Sequence, residues 1–317
     1  MTLVLTEHEV RTLLTMEMAL EAVESAFRQL DRGQATNTPR HRVRIPGCTL
    51  HVMSGALVAQ RILGLKAYTV TREGARFVVL LYDGEGGELL ALMEADALGQ
   101  MRTGAASGVA TKYMARADAA TVGILGTGWQ ARSQLEAVCA VRPIRQVLAF
   151  SRRPERCRAF CSEMSERLQV TVHPAAGPEE VVRSADILIT ATTSREPVFK
   201  GEWLSPGVHI NAIGGNALIR REVDEETLRR ADRIVVDSRD QAKIECGEFL
   251  VAIEKGILCW EAIHELAEVV SGRLPGREDA SQITLFKSLG IAIEDVAVGL
   301  RVYERAIREN VGAHLPS

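Results

Sequence analysis

A glycine-rich turn between an apolar run and a helical segment is the feature of this sequence that most directly suggests chemistry. It consists of Gly126, Thr127, Gly128, Trp129, Gln130 and Ala131. In such a turn the first glycine permits a tight bend, the second lets a pyrophosphate approach the backbone, and a small third residue lets helix and strand pack closely. The N-terminus of that helix offers free N–H groups to an anion. The spacing therefore predicts a dinucleotide phosphate loop rather than a turn without a ligand.

The residues after the next apolar run indicate which dinucleotide would bind. The run Gln146–Phe150 is followed by Ser151, Arg152 and Arg153. A fold selective for NAD carries an acidic residue here, which binds the ribose 2′-hydroxyl and would repel a 2′-phosphate. A hydroxyl and two guanidinium groups can instead hold that phosphate. We therefore expect NADPH; in the alternative, NADH binds and the two arginines only point into solvent.

Three basic side chains in the N-terminal third occupy positions that are unusual for structural residues. Lys66 lies inside the apolar run Leu63–Val70, where a buried amine needs an anionic partner or a shifted pKa. Arg102 begins a helical stretch of small residues, and Arg40 follows Pro39 at the start of a β-rich run. Together they would form a clamp for the carboxylate of an amino or imino acid, although each alone is also typical of a surface cation.

The composition limits the classes of protein to which the chain can belong. Its 317 residues include 38 Lys plus Arg and 41 Asp plus Glu, and the net charge of −3 argues against nucleic acid or an anionic membrane as the main partner. With 46% hydrophobic and 25% charged residues, the chain is not a disordered protein. No apolar run approaches the roughly 20 residues of a membrane helix. The N-terminus lacks the features of a signal peptide, so we expect a cytoplasmic protein.

The six cysteines are scattered and suggest no metal site. Cys157 and Cys161 share a helix face, but no histidine or second cysteine pair accompanies them. Free, buried thiols in a reducing compartment are the better interpretation.

The apolar periodicity changes along the chain and predicts an α/β protein of two domains. Residues 1–35 have helical spacing, about 39–92 form short β-rich runs without intervening helices, and about 94–117 are helical again. From Ala119 apolar runs alternate with helical segments, which is the pattern of a Rossmann-type, doubly wound parallel sheet. Helical segments follow Asp237, with a long one near 288–310. We expect a smaller β-rich α+β domain at 1–117 and a dinucleotide-binding domain at 118–289.

Several longer segments resemble a known family. They are RTGAASGVATKYMAR (102–116), GILGTGWQARSQLEA (123–137), SRRPERCRAF (151–160), ADILITATTS (185–194), PVFKGEWLSPGVHINAIGGN (197–216) and ITLFKSLGIAIEDVAVG (283–299). Together they look like the ornithine cyclodeaminase/μ-crystallin family over nearly the whole chain. Its members include cyclodeaminases, amino-acid dehydrogenases, ketimine and pyrroline-carboxylate reductases, and non-catalytic hormone-binding crystallins. The resemblance also implies a homodimer that pairs through the sheets of the N-terminal domains, each completed by the C-terminal helix at about 290–317.

The resemblance assigns roles to individual positions. Arg40, Lys66 and Arg102 match the family's substrate-carboxylate positions. The cofactor positions are Gly126, Thr127, Gly128, Trp129, Gln130, Ser151, Ala191, Thr192, the stretch Ile210–Ile213 and Leu285, to which we add Thr103, Arg152 and Arg153.

Two positions depart from the cyclodeaminase pattern. Cyclodeaminases and the related alanine dehydrogenase have a catalytic aspartate after the Gly-Gly turn, where this chain has Asn216, whose amide cannot accept a proton from the substrate amine. His51 stands where the cyclodeaminase has a glutamate. An ammonium must lose a proton before it can be oxidised, whereas reduction of a cyclic imine needs mainly hydride delivery and orientation. The departures therefore favour imine reduction.

We accordingly expect an NADPH-dependent reductase of cyclic 2-imino acids, such as a pyrroline- or piperideine-2-carboxylate. Arg40, Lys66 and Arg102 would hold the carboxylate, Asn216 would orient the nitrogen, and His51 or Lys66 would donate the proton. Three alternatives stay open: an ornithine or lysine cyclodeaminase with bound NAD, an amino-acid dehydrogenase of the alanine type and, least favoured, a non-catalytic NADPH-dependent binding protein.

Overall fold

The architecture is taken from a computed structural model, which describes residues 1–315. The strands are β1 (Leu3–Leu5), β2 (Ala35–Ile45), β3 (Cys48–Leu57), β4 (Ile62–Val70), β5 (Ala75–Asp83), β6 (Leu89–Glu94), β7 (Thr121–Leu125), β8 (Gln146–Phe150), β9 (Thr171–Pro174), β10 (Ile187–Thr190), β11 (His209–Ala212), β12 (Arg233–Val236), β13 (Ile263–Glu265), β14 (Thr284–Lys287) and β15 (Ala313–His314). The α-helices are α1 (Glu7–Leu13), α2 (Met16–Asp31), α3 (Asp96–Met114), α4 (Trp129–Val141), α5 (Pro154–Leu168), α6 (Pro178–Ser184), α7 (Glu225–Arg230), α8 (Arg239–Glu245), α9 (Gly247–Glu254), α10 (Leu266–Val270) and α11 (Ala292–Glu309). The contacts divide the chain into two units, Met1–Ala105 with the chain from Gly290 on, and Ala106–Leu289.

The first unit is a seven-stranded mixed sheet with helices on one face. Its strand order is β15-β1-β6-β5-β4-β3-β2, in which β1 and β6 are parallel and the other pairs are antiparallel. Alternate residues of β4 are buried, because one face of that strand packs on the core. Helix α11 packs on β3, β4 and β5. Gly64 permits this approach, since a Cβ there would lie 2.8 Å from Cγ2 of Val296.

The second unit is built on an eight-stranded parallel sheet. Its order is β13-β12-β14-β11-β10-β7-β8-β9. The chain moves outward from β7 to β9 and then returns to the other side of β7 with β10, so the strand order reverses there. Leu125 pairs with both Phe150 and Thr190, which places the loops after β7, β8 and β10 at the same edge. Such a reversal opens a crevice in which α/β proteins bind ligands.

The predicted fold class is confirmed, but two predictions about elements are wrong. Residues 1–35 are not one helix, because β1 precedes two helices whose first N–H groups are capped by Thr6 and Thr15. The chain after Asp237 is not only helical, because β13 and β14 belong to the parallel sheet. Neither stands out in the sequence, because β13 has a single apolar residue and β14 runs directly into the apolar stretch before α11. The division between the units also falls inside α3 rather than at residue 117, since a continuous helix gives no compositional sign of a boundary.

Two expectations from composition can be set beside the structure. No helix among residues 1–315 is long and apolar enough to cross a membrane. All six cysteines are free, and Cys157, Cys161 and Cys246 are buried as expected. Cys48 and Cys139 are half-buried and Cys259 is exposed, so the prediction of buried thiols is wrong for Cys259 and only partly met for the other two.

Candidate active site

The phosphate loop leaves the carboxyl end of β7 and turns directly into α4. Gly126 has a φ of 99°, which side chains disfavour, and a Cβ there would lie 2.5 Å from the carbonyl oxygen of Ala191. Gly128 precedes α4 without a side-chain cap, and a Cβ on it would meet no atom within 4 Å. The N–H groups at the start of α4 therefore open on free space, as a pyrophosphate site requires.

A cavity of about 890 Å³ runs along this edge of the sheet. Of the predicted cofactor residues, the ones that line it are Gly126, Thr127, Gly128, Ser151, Arg152, Arg153, Ala191 and Thr192. Trp129 and Gln130 form the first turn of α4 instead, and Ile213 follows β11. Leu285 is fully buried in the hydrophobic core within β14, and Thr103 lies in α3, where its hydroxyl donates to the Gly99 carbonyl. The structure thus brings together the predicted phosphate and ribose residues, whereas Ile210–Ile213, Leu285, Thr103, Trp129 and Gln130 do not line this cavity.

Exposed arginines line the cavity beyond β8. We call Ser151, Arg152, Arg153 and Arg156 the arginine edge; Arg156, in the first turn of α5, is a residue that the sequence reasoning missed. Within residues 1–315 the structure gives none of the three arginines an ion pair, whereas Arg158 in the same helix lies 3.9 Å from Glu155. Unpaired guanidinium groups beside a phosphate loop suit an additional phosphate.

The three predicted clamp residues meet in the first unit, where Lys66 and Arg102 contact two carboxylates at the start of α11. The Lys66 ammonium lies 2.8 Å from Oδ1 of Asp295, and Nε of Arg102 lies 3.0 Å from the same oxygen. A terminal nitrogen of Arg102 donates to Glu294 at 2.6 Å. Arg40 donates to the Gly290 carbonyl at 3.0 Å. All five side chains are buried. We call Arg40, Lys66, Arg102, Glu294 and Asp295 the cation cluster.

Gly290 is what lets the chain pass so close to this cluster. It has a φ of 78°, and a Cβ on it would lie 2.6 Å from a terminal nitrogen of Arg102. The next turn of chain is fixed by Asn37, whose side-chain oxygen accepts the backbone N–H of Ala292 at 2.8 Å. The contacts of Gly290 and Ala292 therefore fix the first turn of α11, which places the Glu294 and Asp295 carboxylates against the cations.

The electrostatics of the cluster separate its two candidate proton donors. Burial lowers the pKa of Lys66 to about 8, with a further lowering by Arg102 that the Asp295 carboxylate opposes. Burial and the nearby Arg42 and Arg40 charges lower the pKa of His51 to about 4. At neutral pH Lys66 is therefore mainly protonated, while His51 is neutral.

His51 is held by ring contacts rather than by a charged partner. Its ring stacks on Tyr68 at 4.3 Å between centroids, and Tyr68 stacks in turn on Phe77 at 4.7 Å. Its Nδ1 is buried without a hydrogen-bond partner among residues 1–315. In this neutral state the imidazole can donate or accept a hydrogen bond, but its remaining N–H is far too weak an acid to serve as the proton donor.

Asn216, the remaining predicted catalytic residue, belongs to the second unit. It follows the turn Gly214–Gly215 in the loop after β11 and is partly buried. That loop leaves the sheet beside the one that carries Ala191 and Thr192, because β10 and β11 are parallel neighbours. The cation cluster and the cofactor loops are thus carried by different units.

Two residues of the cation cluster, Glu294 and Asp295, were missed from the sequence. A signal for them exists in IAIEDVAVG, where two adjacent acidic residues interrupt an apolar helical stretch and are both fully buried in the structure. Buried carboxylates require partners. That rule could have linked these carboxylates to the three basic residues at unusual positions, although the sequence alone does not say which of the three they pair with.

Comparison with known proteins identifies the family to which this chain is similar. Residues 1–310 match the family model described as "Ornithine cyclodeaminase/mu-crystallin family". A Delta(1)-pyrroline-2-carboxylate reductase from Bacillus cereus is 37% identical over 98% of both chains.

Two solved structures have the same fold over the whole chain. The Delta(1)-pyrroline-2-carboxylate reductase of Thermococcus litoralis, in complex with NADH and L-proline, superposes with a TM-score of 0.95 at 38% identity and covers 99% of this chain and 100% of its own. An archaeal alanine dehydrogenase dimer with bound NAD gives a TM-score of 0.94 at 38% identity and covers 99% of each chain.

Proposed function

The chain belongs to the ornithine cyclodeaminase/mu-crystallin family, and on that premise we propose that it is an NADPH-dependent reductase of cyclic 2-imino acids. It is an NAD(P)-dependent oxidoreductase of CH–NH and C=N bonds, as its relatives are. The substrate class, the choice of NADPH and a homodimeric assembly are the proposal. The pyrroline-2-carboxylate reductases among the relatives and the dimeric alanine dehydrogenase support the first and the last of these.

The observation that carries the proposal is the gathering of three buried cations in the first unit. Arg40, Lys66 and Arg102 lie together at the start of α11, where Lys66 and Arg102 contact the Asp295 carboxylate and Arg40 donates to the Gly290 carbonyl. Arginine and lysine side chains brought to one buried place suit a substrate carboxylate, which they bind through charge-assisted hydrogen bonds. A cyclic 2-imino acid carries one carboxylate next to the C=N bond.

The roles of the side chains follow from their charge at neutral pH. Arg40 and Arg102 hold the substrate carboxylate, and Asn216 accepts or donates a hydrogen bond at the ring nitrogen without taking its proton. Bound NADPH supplies the hydride to the C=N carbon. Lys66, with a pKa of about 8, supplies the proton to the nitrogen, whereas His51 is neutral in this range.

The preference for NADPH is argued from the arginine edge. Arg152, Arg153 and Arg156 border the cavity beside Ser151 without ion pairs among residues 1–315. No acidic side chain occupies the end of β8, where one would repel a 2′-phosphate. The two solved relatives contain NADH and NAD, so this preference is a property to measure on this chain.

The proposal is tested by following loss of nicotinamide absorbance in the purified protein. NADPH and NADH are each mixed with a five-membered or a six-membered cyclic 2-imino acid at mildly acidic pH. Rapid oxidation of NADPH, and slower oxidation of NADH, is the expected result. No turnover of either imine with either cofactor, together with ammonia release from ornithine in the presence of catalytic NAD, would make the chain a cyclodeaminase.

An alanine-type dehydrogenase is the second candidate, favoured by the 38% identity to the archaeal enzyme and by Lys66. A lysine with a pKa of about 8 can accept a proton from a substrate ammonium at alkaline pH. Asn216→Asp separates the two, since it adds the missing base. We expect this variant to raise the rate of amino-acid oxidation relative to imine reduction by about tenfold; an unchanged ratio would contradict the role given to Asn216.

A further inference from the structure

A buried glutamate that the proposed mechanism does not use lies behind the cofactor loops. Glu222 is fully buried, and its carboxylate accepts three hydrogen bonds. These come from the Thr192 N–H at 2.6 Å, the Gly214 N–H at 2.6 Å and the Thr190 hydroxyl at 2.8 Å. One side chain therefore satisfies two backbone N–H groups from two separate loops.

The two loops are those that follow the neighbouring strands β10 and β11. Thr192 lines the large cavity, and Gly214 begins the turn that carries Asn216. Gly214 fits tightly in this contact, because a Cβ on it would lie 2.1 Å from the Thr192 carbonyl oxygen and 2.4 Å from Oε1 of Glu222. The distance between the loops is thus set by Glu222 and by the absence of a side chain at residue 214.

Glu222 is itself fixed by a second buried pair. Its backbone N–H donates to Oε1 of Glu248 at 2.9 Å, and Oε2 of Glu248 lies 3.3 Å from the Lys287 ammonium. Both of these side chains are buried. Burial raises the pKa of Glu222, and the Lys287 charge opposes that rise. Lys287 lies on β14, beside β11, so the support comes from within the sheet.

We propose that Glu222 is a positioning residue, which fixes the Thr192 and Gly214 loops relative to each other and thereby sets the place of the nicotinamide half of the cofactor. The inference rests on the proposed function only in requiring that these loops bind a nicotinamide dinucleotide. The adenine half of the cofactor, by contrast, binds to the phosphate loop and the arginine edge, which Glu222 does not contact. Loss of Glu222 should therefore weaken the binding of one half of the cofactor and spare the other.

The test compares two ligands in the full-length protein. The dissociation constant of the reduced dinucleotide that the wild-type chain prefers is measured by nicotinamide fluorescence. That of its adenine half, 2′,5′-ADP or ADP, is measured by calorimetry. In Glu222→Gln the acceptor of two N–H groups is partly replaced by an amide donor, so we expect about tenfold weaker binding of the dinucleotide and less than a twofold change for the adenine half.

A matched control and a second variant guard against a general folding defect. Asp224 lies two residues further on and caps α7 by accepting the Thr227 N–H at 2.8 Å; Asp224→Asn should leave both dissociation constants unchanged. Gly214→Ala keeps Glu222 and adds a methyl group to the same contact, so it should reproduce the pattern of Glu222→Gln even if that variant does not fold.

Each outcome decides between the two proposals. If the folded variants bind the dinucleotide and its adenine half equally more weakly, or bind both as tightly as the wild type, the positioning role of Glu222 is overturned. The selective loss without any imine turnover by the wild-type chain would support the positioning role and overturn the proposed substrate. Failure of the wild-type chain to bind any nicotinamide dinucleotide would overturn both.

Discussion

The cation cluster and the arginine edge both present positive charge to an anion, but they do so in opposite ways. In the cation cluster the charges are buried, and Lys66 and Arg102 are paired with Glu294 and Asp295 at the start of a long helix. In the arginine edge the guanidinium groups are exposed and without ion pairs among residues 1–315. Buried, desolvated charges interact strongly and tolerate little change, whereas exposed ones are screened by solvent and are individually weak.

This difference suggests a division of labour between the two units. A buried cluster held by ion pairs suits a small substrate that must be oriented for chemistry, because its geometry is fixed before the substrate arrives. A row of exposed arginines suits a mobile phosphate whose position need not be exact for reaction, and it chiefly decides between cofactors. Substitutions in the cluster should therefore affect turnover, and those in the arginine edge should affect cofactor choice.

The largest effect is expected at Lys66. Lys66→Met keeps the length of the side chain but removes the proton donor and a charge that faces Asp295. We expect kcat/KM for imine reduction to fall by about 10³-fold, since loss of a general acid alone costs about 10²–10⁴-fold. Steady-state kinetics with saturating cofactor measure this loss.

The control for Lys66→Met is a surface cation of the same unit. Arg28→Met breaks an i,i+4 pair with Glu24 on α2 and should leave kcat/KM unchanged. The dissociation constant of the cofactor should also be unchanged in Lys66→Met, because the phosphate loop lies in the other unit. A loss of kcat/KM below tenfold would remove Lys66 from the chemistry.

A smaller effect, confined to cofactor choice, is expected at the arginine edge. In Arg152→Ser/Arg153→Ser, the ratio of kcat/KM with NADPH to that with NADH should fall by about 100-fold, because two charge-assisted hydrogen bonds to the 2′-phosphate are lost. The NADH value should stay the same. Arg158→Ser, in the first turns of α5 and paired with Glu155, is the matched control and should not change the ratio. An unaltered ratio in the double variant would mean that these arginines serve only solubility.

The pH dependence of turnover tests whether the buried lysine acts as an acid. Lys66 must be protonated to donate, so kcat/KM for imine reduction should fall by about tenfold per pH unit above its pKa of about 8. In Lys66→Met the decline of kcat/KM above about pH 8 should be absent. A decline that persists unchanged in the variant would assign it to the substrate or to another group.

The smallest effect concerns stability and a buried histidine of the second unit. Burial and the Arg277 charge lower the pKa of His209 to about 3 in the folded state, against an ordinary value of 6.5. Between these values the unfolded chain binds the proton and the folded chain does not, so stability falls as the pH falls. At pH 5 the loss from this residue is about 2 kcal/mol.

Urea unfolding at pH 7 and pH 5 measures that contribution. His209→Gln should reduce the difference in unfolding free energy between the two pH values, although it also disturbs the hydrogen bond between the ring and the Thr284 hydroxyl. His173→Gln, at an exposed histidine of the same unit, is the control and should leave the difference as in the wild type. Equal pH dependence in all three proteins would show that His209 is not responsible.

The sequence was most informative where function depends on local spacing. The turn from Gly126 to Gly128 could be predicted because strand, turn and helix are contiguous and each glycine has its own steric reason. The strands β2–β6 and β7, β8, β10, β11 and β12 were recognisable from periodicity. Short β13 and β14 were not, because β13 has a single apolar residue and β14 runs directly into the apolar stretch before α11.

What could not be predicted depends on contacts between distant parts of the chain. Lys66 and Asp295 are 229 residues apart, and Glu222 joins two loops through backbone N–H groups that no side-chain pattern records. The unusual location of Lys66 was visible, but its carboxylate partner was not. The neutral state of His51 also follows from its burial and its arginine neighbours, which only the folded sheet brings near.

The central claim is that this chain transfers a hydride to the carbon of a C=N bond, and isotope transfer tests it most directly. The protein is incubated with NADPH carrying deuterium at the transferable position and with Δ1-pyrroline-2-carboxylate, and the product is analysed by mass spectrometry. Proline with one deuterium on the carbon that bears the carboxylate is the predicted result. Unlabelled proline, or none at all under conditions in which the same preparation releases ammonia from ornithine, would contradict the account.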